Sequence, residues 1–347
     1  MIGDTFQPRT GHTHLLLNNR SCPGEGEVLR VVSPVTESLV AEFRGASTAQ
    51  VDEAVRSAKV AIESGSWADP ALRKATLRKF ADLLTRNRDA LMDALLAEVG
   101  SPINLKPNHI DTPAAYIRWF AEMGTRDRTR HLGYNATLTG VSSVVYRPVG
   151  VVAAITPFNY PILLGASKIG MATACGCTTI LLSSPLAPLA VAMMGELVIE
   201  AGFPPGVVNI ISGGADVGRA LTGHRDVDKV SFTGSVGVGR QVYQQAAANL
   251  RGAVLELGGK SAAIMLPGVD FGKYALQLHA RYARNAGQGC GSPTRILVEA
   301  SRFEEFADIS RKVYPQVKVG DPRDPATIVG PVITSAQRDR IEAGVAR

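Results

Sequence analysis

Several features that would define a class outright are missing from this chain. Its four cysteines, Cys22, Cys175, Cys177 and Cys290, are too few and too scattered for a secreted disulfide framework, so a reducing compartment is expected. No apolar run is long enough to span a bilayer; "VVAAITPFNYPILLG" is broken by prolines and by Asn159. The opening "MIGDTFQPRTGHTH" has no apolar signal core, which adds to the expectation of a cytoplasmic protein with no membrane partner. His12 and His14 resemble a metal pair only superficially, because no further ligands follow them, and no metal site is expected. The formal net charge is +6, yet the basic residues are scattered rather than blocked. That pattern excludes a nucleic-acid surface and leaves a mild bias toward anionic ligands. Repeats and low-complexity tracts are absent.

What remains is an ordinary globular composition, 45% hydrophobic and 20% charged over 347 residues, sufficient for two or three domains and a sizeable core. In "TAQVDEAVRSAKVAIES", Val51, Val55, Ala58 and Ile62 repeat at helical spacing behind a Ser47/Thr48 cap. A longer amphipathic helix is expected from Asp69–Pro70 to Gly100. "VSSVVYRPVG" alternates as a strand and leads into "VVAAIT". From there strand and helix alternate: "TTILLS", "PLAVAMMGELVIEAG", "VVNII", "ADVGRALTG", "KVSF", "SVGVGRQVYQQAAANL", "AVLEL". Such alternation predicts a parallel, doubly wound α/β sheet. After Gly258–Gly259 a second α/β unit opens with "SAAIML", the helical "DFGKYALQLHARYARNAG" and "RILV".

Sheets of this kind bind ligands at the carboxyl ends of their strands, with phosphate at a glycine turn that opens a helix. "SFTGSVGVG" supplies that turn, although glycine-rich strand-to-helix turns also occur without nucleotides. Cys290 sits in "NAGQGCGSPTR", where Gly287, Gly289 and Gly291 leave the sulfur unshielded. The run suits a nucleophile that substrate and cofactor must both approach, and equally a small hydrophobe in a tight turn. Asn159, in "ITPFNYP", either caps a turn or donates to a developing oxyanion. Glu256, in "LELGGK", is costly at a buried strand end unless it is functional or paired with Lys260 or another cation. Cys175 and Cys177 flank a glycine before an apolar strand and read as core packing.

Taken together and in order, "ITPFNYP", "FTGS", "LELGGK" and "NAGQGC" resemble the NAD(P)-dependent aldehyde dehydrogenase superfamily. "PPGVVNIISGG", "DVDKVSFTGS" and "GPVITSAQRDR" resemble family segments as well, so the likeness covers most of the chain from about residue 25. The resemblance implies a Rossmann-like cofactor domain over 1–130 and 149–257. It further implies an oligomerisation hairpin over 131–148 and an incomplete catalytic domain over 258–347. It implies oxidation of an aldehyde to a carboxylic acid through a thiohemiacetal and a thioester on Cys290. Asn159 would hold the oxyanion, Glu256 would activate water, and Lys168 would act near the site. NAD or NADP would lie along Ile155, Thr156, Pro157, Phe158, Ser183, Gly214, Phe232, Thr233, Gly234, Ser235, Gly239 and Leu257. Members that pass the acyl group to coenzyme A generally lack a carboxylate at the Glu256 position, so hydrolysis is implied.

Two departures qualify these expectations. Where the family has a lysine and a glutamate on the adenosine ribose, this chain has Leu182 and Pro185. Two such contacts at about 1–3 kcal/mol each are large against cofactor affinity, and losing the glutamate also removes a repulsion against a 2′-phosphate. NAD and NADP therefore both stay open. Family members also continue well beyond "GPVITSAQRDRIEAGVAR", so a truncated chain with an exposed apolar face is expected, with a homodimer or homotetramer as the full-length form. A catalytically impaired fragment, or a non-catalytic binding or structural relative, is the alternative.

Overall fold

The N-terminal segment lays down two short antiparallel pairs, β1 (Leu15–Leu17) with β2 (Arg20–Cys22) and β3 (Val28–Val32) with β4 (Leu39–Arg44). The computed structural model describes residues 6–135, 137 and 140–346. Helix α1 (Thr48–Glu63) starts at a capping box: the Ser47 hydroxyl accepts from Gln50 N at 3.2 Å and Gln50 Oε1 accepts from Ser47 N at 3.1 Å. The single helix expected up to Gly100 is two, α2 (Pro70–Arg86) and α3 (Arg88–Val99). The break is at Asn87, whose side-chain amide bonds Leu83 O at 2.9 Å and diverts the backbone. Gly100 ends α3 in the left-handed conformation, φ 70°. Helix α4 (Thr112–Met123) then leads to a hairpin, β5 (Arg130–Asn135) and β6 (Gly140–Val144). Residues 136, 138 and 139, within the expected oligomerisation hairpin, lie outside the described residues. The strand expected over "VSSVVYRPVG" stops at Val144.

The alternating half follows the sequence pattern closely: β7 (Val151–Ile155), α5 (Pro161–Ala174), β8 (Thr178–Ser183), α6 (Leu189–Ala201), β9 (Val208–Ser212), α7 (Ala215–Thr222), β10 (Lys229–Gly234), α8 (Val236–Ala248) and β11 (Gly252–Leu257). The sheet order is β11–β10–β7–β8–β9–β1–β2, with β7 to β11 parallel and β1 antiparallel on β9. Its central strands are apolar on both faces because helices cover both. Ala154, Leu181 and Ile210 belong to one core with α2, α3, α5 and α6. Ala153, Ile180, Leu182 and Ile211 belong to the other with α1, α7 and α8.

The winding reverses beside β7. The chain runs β7–β8–β9 outward, then returns to place β10 on the other side of β7. A crevice at the carboxyl ends of β7 and β10 is the site such a reversal creates.

The C-terminal part pairs β12 (Ala262–Ile264) with β13 (Arg295–Leu297) in parallel around α9 (Phe271–Ala283), followed by α10 (Phe303–Val313) and α11 (Ser335–Val345). Phe271 and Phe306 meet edge to face at 5.2 Å in its small core. Helix α9 ends at Ala283, four residues before the expected Gly287, because Asn285 and Ala286 turn left-handed at φ 52° and 55°. Val254, Ile264, Leu266 and Leu297 remain exposed.

Candidate active site

Strand register begins the assembly. Ile155 lies beside Phe232, and Thr233 beside Glu256, so three strands finish together at the crevice. Just past β7, Pro157 and Pro161 stiffen the chain around Asn159. The Asn159 amide donates to Gln288 O at 2.5 Å, and its Oδ1 accepts from Tyr160 N at 3.1 Å. Gln288 precedes Cys290 by two residues, so this bond ties the β7 turn to the cysteine loop. From the other side, a Cβ built on Gly259, three residues after Glu256, would lie 3.7 Å from Cys290 O. Asn159, Glu256 and Cys290 are thereby gathered from three remote segments. Cys290 and Glu256 are both exposed.

Glu256 departs from the expectation of a carboxylate at a buried strand end: it is exposed. Its position on β11 explains this, since alternate residues of the sheet's outer strand face away from the core. Cys175 is likewise exposed, against the expectation of core packing, whereas Cys177 is buried. Lys168, on α5, donates to Ser231 Oγ at 2.6 Å. Burial pushes its amine down to about 8, against the opposing pull of Glu256.

The cysteine loop is braced by side chains that were unassigned within the "NAGQGC" motif. Asn285 Nδ2 donates to Asn159 O at 3.1 Å, and Ser101 Oγ donates to Asn285 Oδ1 at 3.2 Å. Gln288 Nε2 donates to Asn285 O at 3.0 Å, while Gln288 Oε1 accepts from Ile333 N at 3.1 Å. These bonds hold two consecutive left-handed residues at a cost of order 1–3 kcal/mol each. The motif contained these residues, but their long-range partners could not be read from spacing. Tyr160 stacks on His109 with ring centroids 4.8 Å apart, a wall that no motif signalled.

A phosphate-bearing cofactor fits one half of the crevice. Ser235 caps α8 by accepting from Val238 N at 3.4 Å, leaving first-turn N–H groups of α8 free to meet an anion. A side chain at Gly237 would meet nothing within 4 Å, so the approach is open. The Thr233 hydroxyl is buried and, among the described residues, has no partner. Gly239 lets α8 sit against β11, since a Cβ there would fall 2.6 Å from Leu257 Cδ2. Ile155 and Phe158 pack against the two cores, Pro157 lies between them in the turn, and Thr156 bonds Leu182 O at 3.0 Å through its amide. Gly214 caps α7. The ribose end is different. Ser183 is buried with its hydroxyl on Ser212 Oγ at 2.7 Å, and Leu182 is in the core, so neither side chain reaches the crevice surface. Ser183, expected along the cofactor, has its hydroxyl turned inward onto Ser212. His12 is buried against Phe6, and among the described residues no acid, histidine or cysteine cluster could hold a metal.

Residues 22–347 match the model of the aldehyde dehydrogenase family. Geranial dehydrogenase of Castellaniella defragrans is 35% identical over 95% of the chain and 70% of its own length. The NADP/NAD-dependent aldehyde dehydrogenase PuuC of Escherichia coli is 36% identical over 92% of the chain and 65% of its own length. Among solved structures, aldehyde dehydrogenase C of Pseudomonas syringae, a mutant complexed with NAD+ and octanal, superposes with a TM-score of 0.91 at 31% identity, covering 98% of this chain and 70% of that one. The indole-3-acetaldehyde dehydrogenase of the same species, a mutant in complex with NAD+ and IAA, gives 0.93 at 32% identity, covering 99% and 70%. No helix among the described residues is long and apolar enough to cross a membrane.

Proposed function

The chain belongs to the aldehyde dehydrogenase family, and on that premise we propose that it oxidises an aldehyde to a carboxylic acid with NAD(P)+, through covalent intermediates on Cys290. The observation that carries this reading is the bond from the Asn159 amide to Gln288 O, which ties a neutral donor to the loop of an exposed cysteine.

Cys290 attacks the aldehyde carbon as a thiolate, a far better nucleophile near neutral pH than a hydroxyl. The carbonyl oxygen becomes an oxyanion, which accepts from the second N–H of the Asn159 amide and from the Cys290 backbone. A nicotinamide held by the α8 turn would supply the oxidant, as acceptor of the hydride that leaves the former aldehyde carbon when the oxyanion collapses, and Cys290 would then carry a thioester. Glu256, exposed at the end of β11, draws a proton from water, and the hydroxide adds to the thioester carbon. The C–S bond then breaks, releasing the acid and restoring the thiol. Lys168 adds a positive field near Glu256 and can relay a proton near neutral pH.

The free first turn of α8, Gly234, Ser235 and the unpartnered Thr233 hydroxyl receive the cofactor's phosphates and adjoining ribose. The NAD+ complexes of the two Pseudomonas syringae enzymes support NAD; the name of the Escherichia coli relative supports NADP as well. Residues 1–130 and 149–257 form the cofactor unit, 131–148 the oligomerisation hairpin of a cytoplasmic homodimer or homotetramer, and 258–347 the catalytic unit. A second reading, a catalytically impaired relative, is favoured by Leu182 and Pro185, which leave the ribose without its usual clamp.

Aldehyde-dependent reduction of NAD+ and NADP+, with Cys290→Ala as control, tests both readings. Turnover abolished by the substitution supports the dehydrogenase. Cofactor binding without turnover supports the impaired relative. Neither binding nor turnover refutes the dehydrogenase and leaves the altered ribose turn as the reason.

A further inference from the structure

Beside the cysteine loop stands a cation that the chemistry above does not use. Arg284 follows the end of α9 and lies six residues before Cys290, half-buried. Its Nη1 donates to Asn108 Oδ1 at 3.2 Å, and among the described residues it has no carboxylate partner. The acid on the same short helical segment as Asn108 is already engaged: Asp111 pairs with Arg88 at 2.9 Å. One neutral amide orients a guanidinium without neutralising it, and leaves most of its five N–H groups unspent. Holding such a charge half out of water, unopposed, is unfavourable unless an anion completes it.

Asn108 and its neighbour His109 link this cation to the turn that carries Asn159. Tyr160, adjoining Asn159, senses both the Arg284 charge and the Cys290 thiol, although burial is what chiefly raises its phenol. Tyr160 in turn stacks on His109, which is fully buried and whose ring nitrogens have no partner among the described residues. Burial drives that imidazole down to about 3, so it stays neutral and does not compete for an anion. A neutral aromatic pair and one oriented guanidinium thus lie together beside the Asn159 turn.

Resting on the reading of Cys290 as the nucleophile, we propose that Arg284 is the anchor for an anionic group at the far end of the substrate, so that the preferred aldehydes carry a carboxylate or comparable anion. The planar fork of arginine matches a carboxylate in two parallel hydrogen bonds, a geometry that lysine cannot reproduce. A substrate tethered there would present its aldehyde to Cys290 with its other end fixed, which lowers the entropic cost of attack.

Selective alkylation tests this without requiring turnover. Iodoacetate carries the anion and iodoacetamide is its neutral counterpart; modification is followed on the Cys290 peptide by mass spectrometry. In Arg284→Gln the iodoacetate-to-iodoacetamide rate ratio should fall about tenfold, the scale expected for losing one nearby, partly screened charge. Arg284→Lys should keep part of the ratio. Lys168, Glu256 and the thiol itself are the same in every variant, so they cancel in the comparison. In the unaltered protein the ratio should also decline as salt is raised from about 10 to 500 mM, a measurement that needs no variant to fold. A ratio insensitive to both the substitution and salt, with Cys290 reacting readily, overturns the anchor and leaves the nucleophile standing. A Cys290 that reacts with neither reagent removes the nucleophile, and the anchor with it.

Discussion

Lys168→Met should make this protein more stable at neutral pH while impairing its chemistry. The wild-type amine is held among apolar neighbours on α5, where burial lowers it from 10.5 to about 8. At pH 7 the folded state keeps a proton that it binds less tightly than the unfolded chain does. That lowering corresponds to about 3 kcal/mol of destabilisation. Removing the amine relieves this, but forfeits the bond to Ser231 at 2.6 Å, worth about 1 kcal/mol net. The expected gain at pH 7 is therefore about 2 kcal/mol. The sign of its pH dependence is fixed by linkage. Between about 8 and 10.5 the native lysine is neutral while the unfolded one is charged, so wild-type stability rises with pH across that window. The advantage of the methionine variant should shrink across it and vanish by its upper end. Urea denaturation of both proteins at pH 7 and pH 10 measures the difference directly, with aldehyde turnover recorded alongside. A variant less stable than wild type at pH 7, or a difference unchanged at pH 10, refutes the reasoning.

Two further substitutions probe other links. Glu98, fully buried, accepts from Leu189 N at 2.7 Å and Ala190 N at 3.0 Å, and burial raises it from 4.5 to about 8. Its contribution is complete below about 4.5 and is lost as pH rises through 8, so Glu98→Gln should gain on wild type by about 3 kcal/mol between pH 5 and 8 in denaturation series; a pH-independent difference contradicts this. Gly239→Val places methyls where Leu257 Cδ2 lies 2.6 Å from a built Cβ, and should cost about 1–3 kcal/mol. Gly237→Val, with nothing within 4 Å, should change stability by less than about 0.5 kcal/mol; equal losses at both positions would show that α8 is not packed on β11 through Gly239.

Much of the fold was legible because the central strands must be apolar on both faces. "TTILLS" became β8 residue for residue, and "ADVGRALTG" and "AVLEL" fell within a residue of α7 and β11. Legibility failed where one side chain outweighed a periodic pattern. Asn87 interrupts a helical repeat with a single amide bond, and Asn285 with Ala286 ends α9 early because tertiary hydrogen bonds sustain two left-handed residues. Glu256 was expected to be buried because its neighbours are apolar, yet strand alternation turned it outward.

For the candidate site, the sequence by itself determined which chemistry was present: a thiol in a glycine-rich loop, an amide between prolines, a carboxylate at a strand end and a glycine turn opening a helix. Those are local properties, set by residue type and immediate neighbours. Only the tertiary structure decided that they converge. The reversal of strand order beside β7 brings residues near 159, 234 and 256 to one crevice, and the Asn159–Gln288 bond draws the cysteine loop onto it. Burial was decided there too, and with it the depressed Lys168 amine, the neutral His109 and the inward Ser183. Desolvation and long-range hydrogen bonding depend on what packs around a group, and that depends on how distant parts of the chain meet.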